Sequence, residues 1–398
     1  MITAHDQDTC HLPNHLIQEI DSYAPIVHRI INESMQGSFK GTTWQDLATF
    51  VDKFGPRFTG TQVLEDAIDY VLNKSISLGL DNVHGEPATV PRWVRGSESA
   101  TLLQPRQKNL ALLGLGYSIG TPKKGITANA VVVNSFAELK KRAEEIPGKI
   151  VVYNQKFVSY GETVEYRSVG AIRAAELGAV AALIRSVTPF SLYTPHTGMM
   201  NYAENVTKIP AACITVEDAT LLGRMADRGG ETIVINLKME AKRYPDTQSR
   251  NVIADIIGSS APAKAVVVSG HIDSWDVGIG AMDDGGGIFI SWNALKLLKH
   301  LGIRARRTIR LLAPLGDMKL KSPCTGPDIS FWIKAGVPGG ALLNRNEKYF
   351  YYHHSNADTM LAENPKALDM NTALFAAVSF VLADISVDLP QHNFTSVL

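Results

Sequence analysis

The sequence predicts an α/β protein whose mostly parallel sheet, with helices on both faces, is interrupted by an inserted β-rich module. Three observations carry this expectation. After Tyr244-Pro245, apolar runs of strand length alternate with helix-period segments, the order that builds parallel βα units. Between residues 98 and 240 the pattern changes to short apolar runs broken by Gly, Pro and Asn. At 398 residues, the chain is also longer than one core usually organises, so two domains are expected.

Residues 1–97 form the first, helical part of the principal domain. Leu64, Ile68, Val71 and Leu72 share one helix face within a helical stretch from Ile20 to Leu80, and Gly79 supplies a stop. In the module, 98–240, the runs Leu110 to Leu113, Ala130 to Val133 and Ile150 to Tyr153 read as strands. A helix-like stretch, Ala171 to Leu177, leads through Gly178 into Val180 to Ile184, and Thr232 to Leu237 closes the region. One or two helices are expected among these strands. Residues 241–398 resume the principal domain with strands at Val252 to Ile257 and Ala265 to Val268. A glycine-rich loop, a helix from Ile288 to His300 and a strand at Thr308 to Leu312 follow. Residues 313–327 fit neither period and are expected to form a loop. A helix from Asp328 to Ala335, an apolar stretch from Gly340 to Leu343 and a helix from Thr372 to Ala383 complete the chain.

Composition narrows the partners. Thirty-nine Lys+Arg balance 39 Asp+Glu, so no charge excess attracts nucleic acid or an anionic membrane. No apolar run approaches the length of about 18 residues that a membrane helix needs, and a soluble globular protein is expected. Cys10, Cys213 and Cys324 are too few and too scattered for a disulfide framework or a thiolate zinc site. The amino terminus is polar and lacks the basic end and apolar core of a signal peptide. Four sequons, at Asn32, Asn73, Asn205 and Asn393, favour the secretory pathway.

The strongest chemical signal lies between Val266 and Gly287. An apolar strand ends there and delivers His271, Asp273, Asp276, Asp283 and Asp284 into a glycine-rich loop. Carboxyl ends of strands are where ligands bind in open α/β sheets. His271 and Asp283 offer the imidazole and carboxylate that suit zinc, and Asp273 is placed to orient His271. The plainer alternative is an ordinary strand-to-helix loop in which Asp284 caps the helix near Ile288. A histidine pair, His353-His354, follows an aromatic run and supplies the distant imidazole that a His/Asp site needs. Gly116-Tyr-Ser118-Ile-Gly120 matches a nucleophile elbow in spelling, but Thr121-Pro122 after it reads as a turn where an elbow requires a helix.

Five blocks carry a resemblance: Phe54-Gly-Pro-Arg-Phe-Thr-Gly60, Gly148 to Asn154, Pro195-His-Thr-Gly198, Ile209 to Asp218, and His271 to Gly287. Over nearly its whole length the chain resembles the aminopeptidase-like di-zinc exopeptidases. The resemblance implies a zinc-exopeptidase sheet with a protease-associated domain as its β-rich insertion. It also implies carboxypeptidase or dipeptidase action on short peptides, and a secreted or lysosomal glycoprotein that forms a homodimer. Two zinc ions would share Asp283, one also taking His271 and the other His354, with Asp273 supporting His271. Trp275, Asp328 and Trp332 are candidates for the pocket lining.

The resemblance breaks at one place. The family carries an adjacent glutamate pair, one the general base and the other a zinc ligand, after the strand that here reads Arg307 to Leu312. A further aspartate ligand follows. Here no glutamate lies between Glu240 and Glu347, and an internal deletion near 313–327 is expected. Each zinc would keep two protein ligands where three are usual, and loss of a general base alone costs about 10²–10⁴ in rate. The expectation is therefore a zinc metallo-exopeptidase impaired by shortening. Its alternative is a catalytically inactive isoform acting at most as a binding module through the protease-associated domain.

Overall fold

A computed structural model describes residues 12–315, 329–341 and 348–389. Helices α1 (Asn14–Ser22), α2 (Ala24–Met35), α3 (Thr42–Phe54) and α4 (Gln62–Ser77) lead into strand β1 (Asp81–Val94). Strands β2 (Glu98–Gln104), β3 (Lys108–Leu110), β4 (Leu112–Gly114) and β5 (Ile126–Val133) precede α5 (Phe136–Lys141) and β6 (Ile150–Tyr153). Next come α6 (Tyr160–Ala175), β7 (Ala181–Arg185), β8 (Ala211–Ile214), α7 (Val216–Arg228) and β9 (Val234–Met239). The chain continues with β10 (Lys242–Ile256), β11 (Ala261–Ser269), α8 (Gly286–His300) and β12 (Arg307–Ala313). Two short helices, α9 (Ser330–Lys334) and α10 (Tyr349–Tyr352), and the long α11 (Pro365–Asp384) end it.

Local chemistry accounts for the starts of five helices. Thr61, Ser135, Ser159 and Thr215 each accept a backbone N–H three residues on, and Asn364 caps α11 with Pro365 at its first position. Helix α11 is long and apolar enough to cross a bilayer. Its inner face, with Leu368, Ala376, Phe380 and Ala383, is buried in the first core instead.

Two sheets organise the molecule. The first has the order β1-β10-β12-β11 and packs under α3, α4, α8 and α11, with Phe50, Leu64, Ile288, Leu295, Ile309 and Leu311 at its heart. The second contains every strand from β2 to β9, in the order β3-β2-β9-β5-β6-β7-β8-β4. Its central strand shows why an unbroken apolar run is required. Ile150 and Val152 enter one core while Val151 and Tyr153 enter the other, so both faces of β6 are covered.

The α/β class holds. Strand direction in the first sheet departs from the mostly parallel expectation: β1 and β12 both run antiparallel to β10, and only β11 pairs in parallel with β12. Of the two antiparallel neighbours of β10, β1 contains Gly85, Pro87 and Pro91 and so does not look like a strand. At a sheet edge a proline costs no ladder bond, and β1 follows β10 over almost its whole length. Three helices rather than one or two stand among the strands of the second sheet, since α5 and α7 were not expected. Most of the expected loop 313–327, Asp328, the end of the apolar stretch at Gly340 to Leu343, Cys10, Cys324 and Asn393 lie outside the described residues.

Candidate metal centre

The site is built where β11 gives way to α8. Gly270 is obligatory there, because a Cβ would fall 2.3 Å from the carbonyl carbon of Gly287. Asp284 joins the two elements, accepting from the His271 amide at 2.9 Å and the Gly287 amide at 3.1 Å. The helix-capping alternative for Asp284 is thus real, and it coexists with a polar cluster beside it.

Arg57 holds the intervening loop. Its guanidinium is fully buried and donates to the carbonyls of Ile272 (2.8 Å), Ile279 (2.7 Å), Gly280 (3.0 Å) and Gly55 (3.1 Å). Burial lowers its pKa to about 10, against the opposing pull of Asp273, Asp358, Asp284 and Asp283. Asp358 fixes the next turn, accepting from the amides of Met282 (2.8 Å) and Asp283 (3.1 Å).

These supports present the Asp283 carboxylate to three imidazoles. Oδ1 lies 3.5 Å from His271 Nε2 and accepts from the Tyr349 hydroxyl at 2.8 Å. Oδ2 lies 3.1 Å from His354 Nε2 and 3.9 Å from His353 Nε2. The ligand atoms of Asp283, His353 and His354 all fall within 4.8 Å of one another. His271 Nδ1 sits 3.0 Å from the Asp273 carbonyl and 3.3 Å from its carboxylate, which accepts from Thr59 Oγ1 at 2.8 Å. His354 Nδ1 is 3.2 Å from the Thr197 carbonyl. With Nδ1 of both rings turned to carbonyls, Nε2 is the nitrogen that would bind a metal once it gives up its proton. The donor set therefore fits a zinc-type ion, two or three imidazoles around one carboxylate.

The same contacts set the charges of the cluster. Burial opposes ionisation of Asp283, yet hydrogen bonds from His271 and His354 hold its pKa well below the usual carboxylate range. Burial likewise opposes charge on His271, but Asp273 and Asp283 raise it well above an ordinary histidine. Burial and the neighbouring His354 push His353 well down, and burial lowers His354. Burial and Asp283 hold the Tyr349 hydroxyl firmly protonated.

The structure brings His271, Asp273, Asp283 and His354 together. Trp275 joins them, its ring 5.1 Å from that of His354 and 5.2 Å from Phe58. Trp332 is half exposed on α9. Sequence reasoning did not single out Arg57, Tyr349 or Asp358, and it took only His354 from the histidine pair. A sequence gives no direct signal for a buried arginine bound by carbonyls. Ser118 is buried, its hydroxyl accepting from the Ala211 amide, and no helix follows it.

Comparisons with known proteins show the family. The profile of Peptidase family M28 matches residues 251–316. Carboxypeptidase Q from Homo sapiens is 45% identical, with 94% of this chain and 92% of that protein aligned. The Xenopus laevis protein of the same name is 46% identical over the same shares. The chain belongs to the carboxypeptidase Q family of M28 peptidases. The expected class, a metallo-exopeptidase, is the class of this family. Among solved structures, a Peptidase M28 precursor from Shewanella amazonensis superposes with a TM-score of 0.87 at 31% identity, covering 94% of this chain and 99% of that one. A zinc aminopeptidase from Bacillus subtilis shares the fold, with a TM-score of 0.51 at 23% identity over 69% of this chain and 61% of its own. In this carboxypeptidase Q-family chain, the Phe54 to Gly60 block supplies Arg57 and Thr59 to the centre. The Pro195 to Gly198 block supplies Thr197, and His196 Nδ1 lies 2.6 Å from the His353 carbonyl.

Proposed function

We propose that this chain is a zinc-dependent exopeptidase of short peptides and dipeptides, with turnover held far below that of its relatives by internal shortening. The observation that carries the reading is the Asp283 carboxylate set between imidazoles, His271 facing one oxygen and His354 the other. Asp283 and His354 would hold the metal, with His271 within reach of the same carboxylate. A zinc ion held there would supply Lewis-acid polarisation of a scissile carbonyl and would lower the pKa of a nearby water toward neutrality. The chain's own part is positional. Asp273 and Thr59 fix His271, Thr197 fixes His354, and Tyr349 steadies Asp283. What the chain does not provide between Glu240 and Glu347 is a glutamate to take the attacking water's proton.

Two comparisons support shortening near 313–327. The M28 match stops at residue 316. The alignment with the carboxypeptidase Q of Pongo abelii runs over 435 positions but takes in 94% of a 398-residue chain, so roughly sixty positions face nothing here. Hydrolysis of dipeptides, with and without added zinc and beside a carboxypeptidase Q that has the glutamate pair, tests the proposal. A rate lower by about 10²–10⁴ or more is expected; an equal rate sinks it. Complete absence of zinc and turnover would favour the second reading, a binding module built on 98–240.

The same reading includes a secreted or lysosomal glycoprotein that pairs as a homodimer. Asn32, Asn73 and Asn205 are all exposed. Asn32 and Asn73 sit on helices, while Asn205 lies in a loop, the setting that favours modification. Sedimentation would test pairing, and the mass of the chain expressed through a secretory pathway would test glycan at Asn205.

A further inference from the structure

Two helix faces outside the metal centre combine aromatic rings with charge. On α4, Tyr70, Lys74 and Ser77 follow at steps of four and three residues, and on α8, Phe289, Trp292 and Lys296 follow at steps of three and four. Such spacing puts each trio on one side of its helix. The two sides meet, with Asp46 of α3 beside them, around a cavity of about 180 Å³. No residue of the metal cluster lines it.

The floor of the cavity is apolar. Phe289 and Trp292 are buried with their rings 5.8 Å apart, edge to face. The Trp292 indole N–H donates to Ser75 Oγ at 2.9 Å, which fixes the ring. Phe50 packs against Phe289 and Tyr70 from behind, at 4.9 and 6.0 Å. The mouth is polar. Lys296 Nζ lies 5.2 Å from the Trp292 ring centre and pairs with Asp46 Oδ2 at 2.6 Å. Lys74 Nζ lies 5.5 Å from the Tyr70 ring centre and has no ion-pair partner among the described residues. Two ammonium groups against one carboxylate leave the mouth positive.

Size and charge together select a ligand. An apolar cavity of about 150 Å³ holds one benzene ring, so this space takes a single ring. Aromatic walls favour an aromatic one through edge and face contacts, and the mouth favours an anionic head. An uncharged ring would leave Lys74 unpaired, and a cationic one would meet it as like charge.

We infer that the cavity between α4 and α8 is a binding site for a small aromatic carboxylate, its ring among Tyr70, Phe289 and Trp292 and its carboxylate on Lys74. A free aromatic amino acid has this chemistry, its ammonium then facing Asp46 Oδ1; so does an aromatic acid without an amine. The site is separate from the metal centre, and filling it requires neither zinc nor turnover.

The test is calorimetric titration of the full chain, kept zinc-free with a chelator, against hydrocinnamate, L-phenylalanine and phenethylamine. One hydrocinnamate per chain is expected, with phenethylamine bound about tenfold more weakly or worse. L-phenylalanine binding as tightly as hydrocinnamate assigns the site to free amino acids, and weaker binding assigns it to plain aromatic acids; either supports the site. Two variants at exposed positions locate it. K74Q should weaken hydrocinnamate binding by about threefold to tenfold. S77F, which sets a ring at the cavity lining, should abolish it. Circular dichroism checks that both fold, and K74Q alone decides if S77F does not. No binding at millimolar hydrocinnamate, equal or tighter binding of phenethylamine, or full affinity in the folded variants would overturn the inference and leave the exopeptidase reading untouched.

Discussion

Arg57 shows how much one residue can organise. Its four bonds all go to carbonyls, three of them within 272–280, the segment joining His271 to Asp283. Arg57→Met leaves those carbonyls without donors and removes the positive charge among four aspartates. Denaturant unfolding should show a loss of more than about 3 kcal/mol, and zinc affinity should fall with it. Glu363 makes a second residue-scale case. Its carboxylate packs at the head of α8, where a Cβ on Gly286 would sit 3.0 Å from Oε1. Burial, then Asp358 and Asp284, raise its pKa to about 7. The native state thus keeps a proton that the unfolded chain releases near the ordinary glutamate value. The stability this confers is complete at low pH and is lost as pH rises toward and through about 7. In the zinc-free protein, Glu363→Gln should match the parent near pH 4 and exceed it by about 1–3 kcal/mol at pH 8. Equal pH dependence of the two proteins would refute this. His271 and Asp283 were legible in the sequence because a strand end rich in glycine and aspartate is a local pattern. Tyr349 and Arg57 were not, since their roles arise from contacts across 66 residues and more than 200.

Among the elements, a long apolar helix and a short unbroken apolar strand were read closely. Helix α8 was expected from Ile288 to His300 and runs from Gly286, and β6 was placed at its observed residues. The largest miss, β1, carries two prolines and polar residues, and it becomes a strand only because β10 lies beside it. Tertiary pairing overrides propensity at such an edge. Helix α4 offers a test of local coding. Thr61 accepts from the Leu64 amide at 3.3 Å, and Thr61→Ala should cost about 1 kcal/mol in thermal or denaturant unfolding. No measurable loss would mean that packing of Leu64 and Ile68 alone sets the start of this helix.

For the molecule as a whole, composition and alternation disclosed an α/β protein. They did not disclose that the second sheet reaches the chemistry of the first sheet's loop. Arg95 links the two, paired with Asp276 at 2.7 Å and bonded to the Gly114 carbonyl, and Thr188 donates to the Phe350 carbonyl at 2.7 Å. Cutting the module out should therefore abolish zinc binding even if the remaining sheet folds. A shortened protein that still takes up zinc would contradict this.

The bond from the Thr197 amide to the His354 carbonyl has a consequence for dynamics. Whatever stabilises the bound form of His354 must also stabilise closure of that bond, since occupancy and local opening share one free-energy cycle. The Thr197 amide is thus a built-in reporter, placed on the module and read by deuterium exchange. Its exchange should slow on adding zinc, while amides inside the second sheet that make no contact with His354, such as Thr101 on β2, keep their rates.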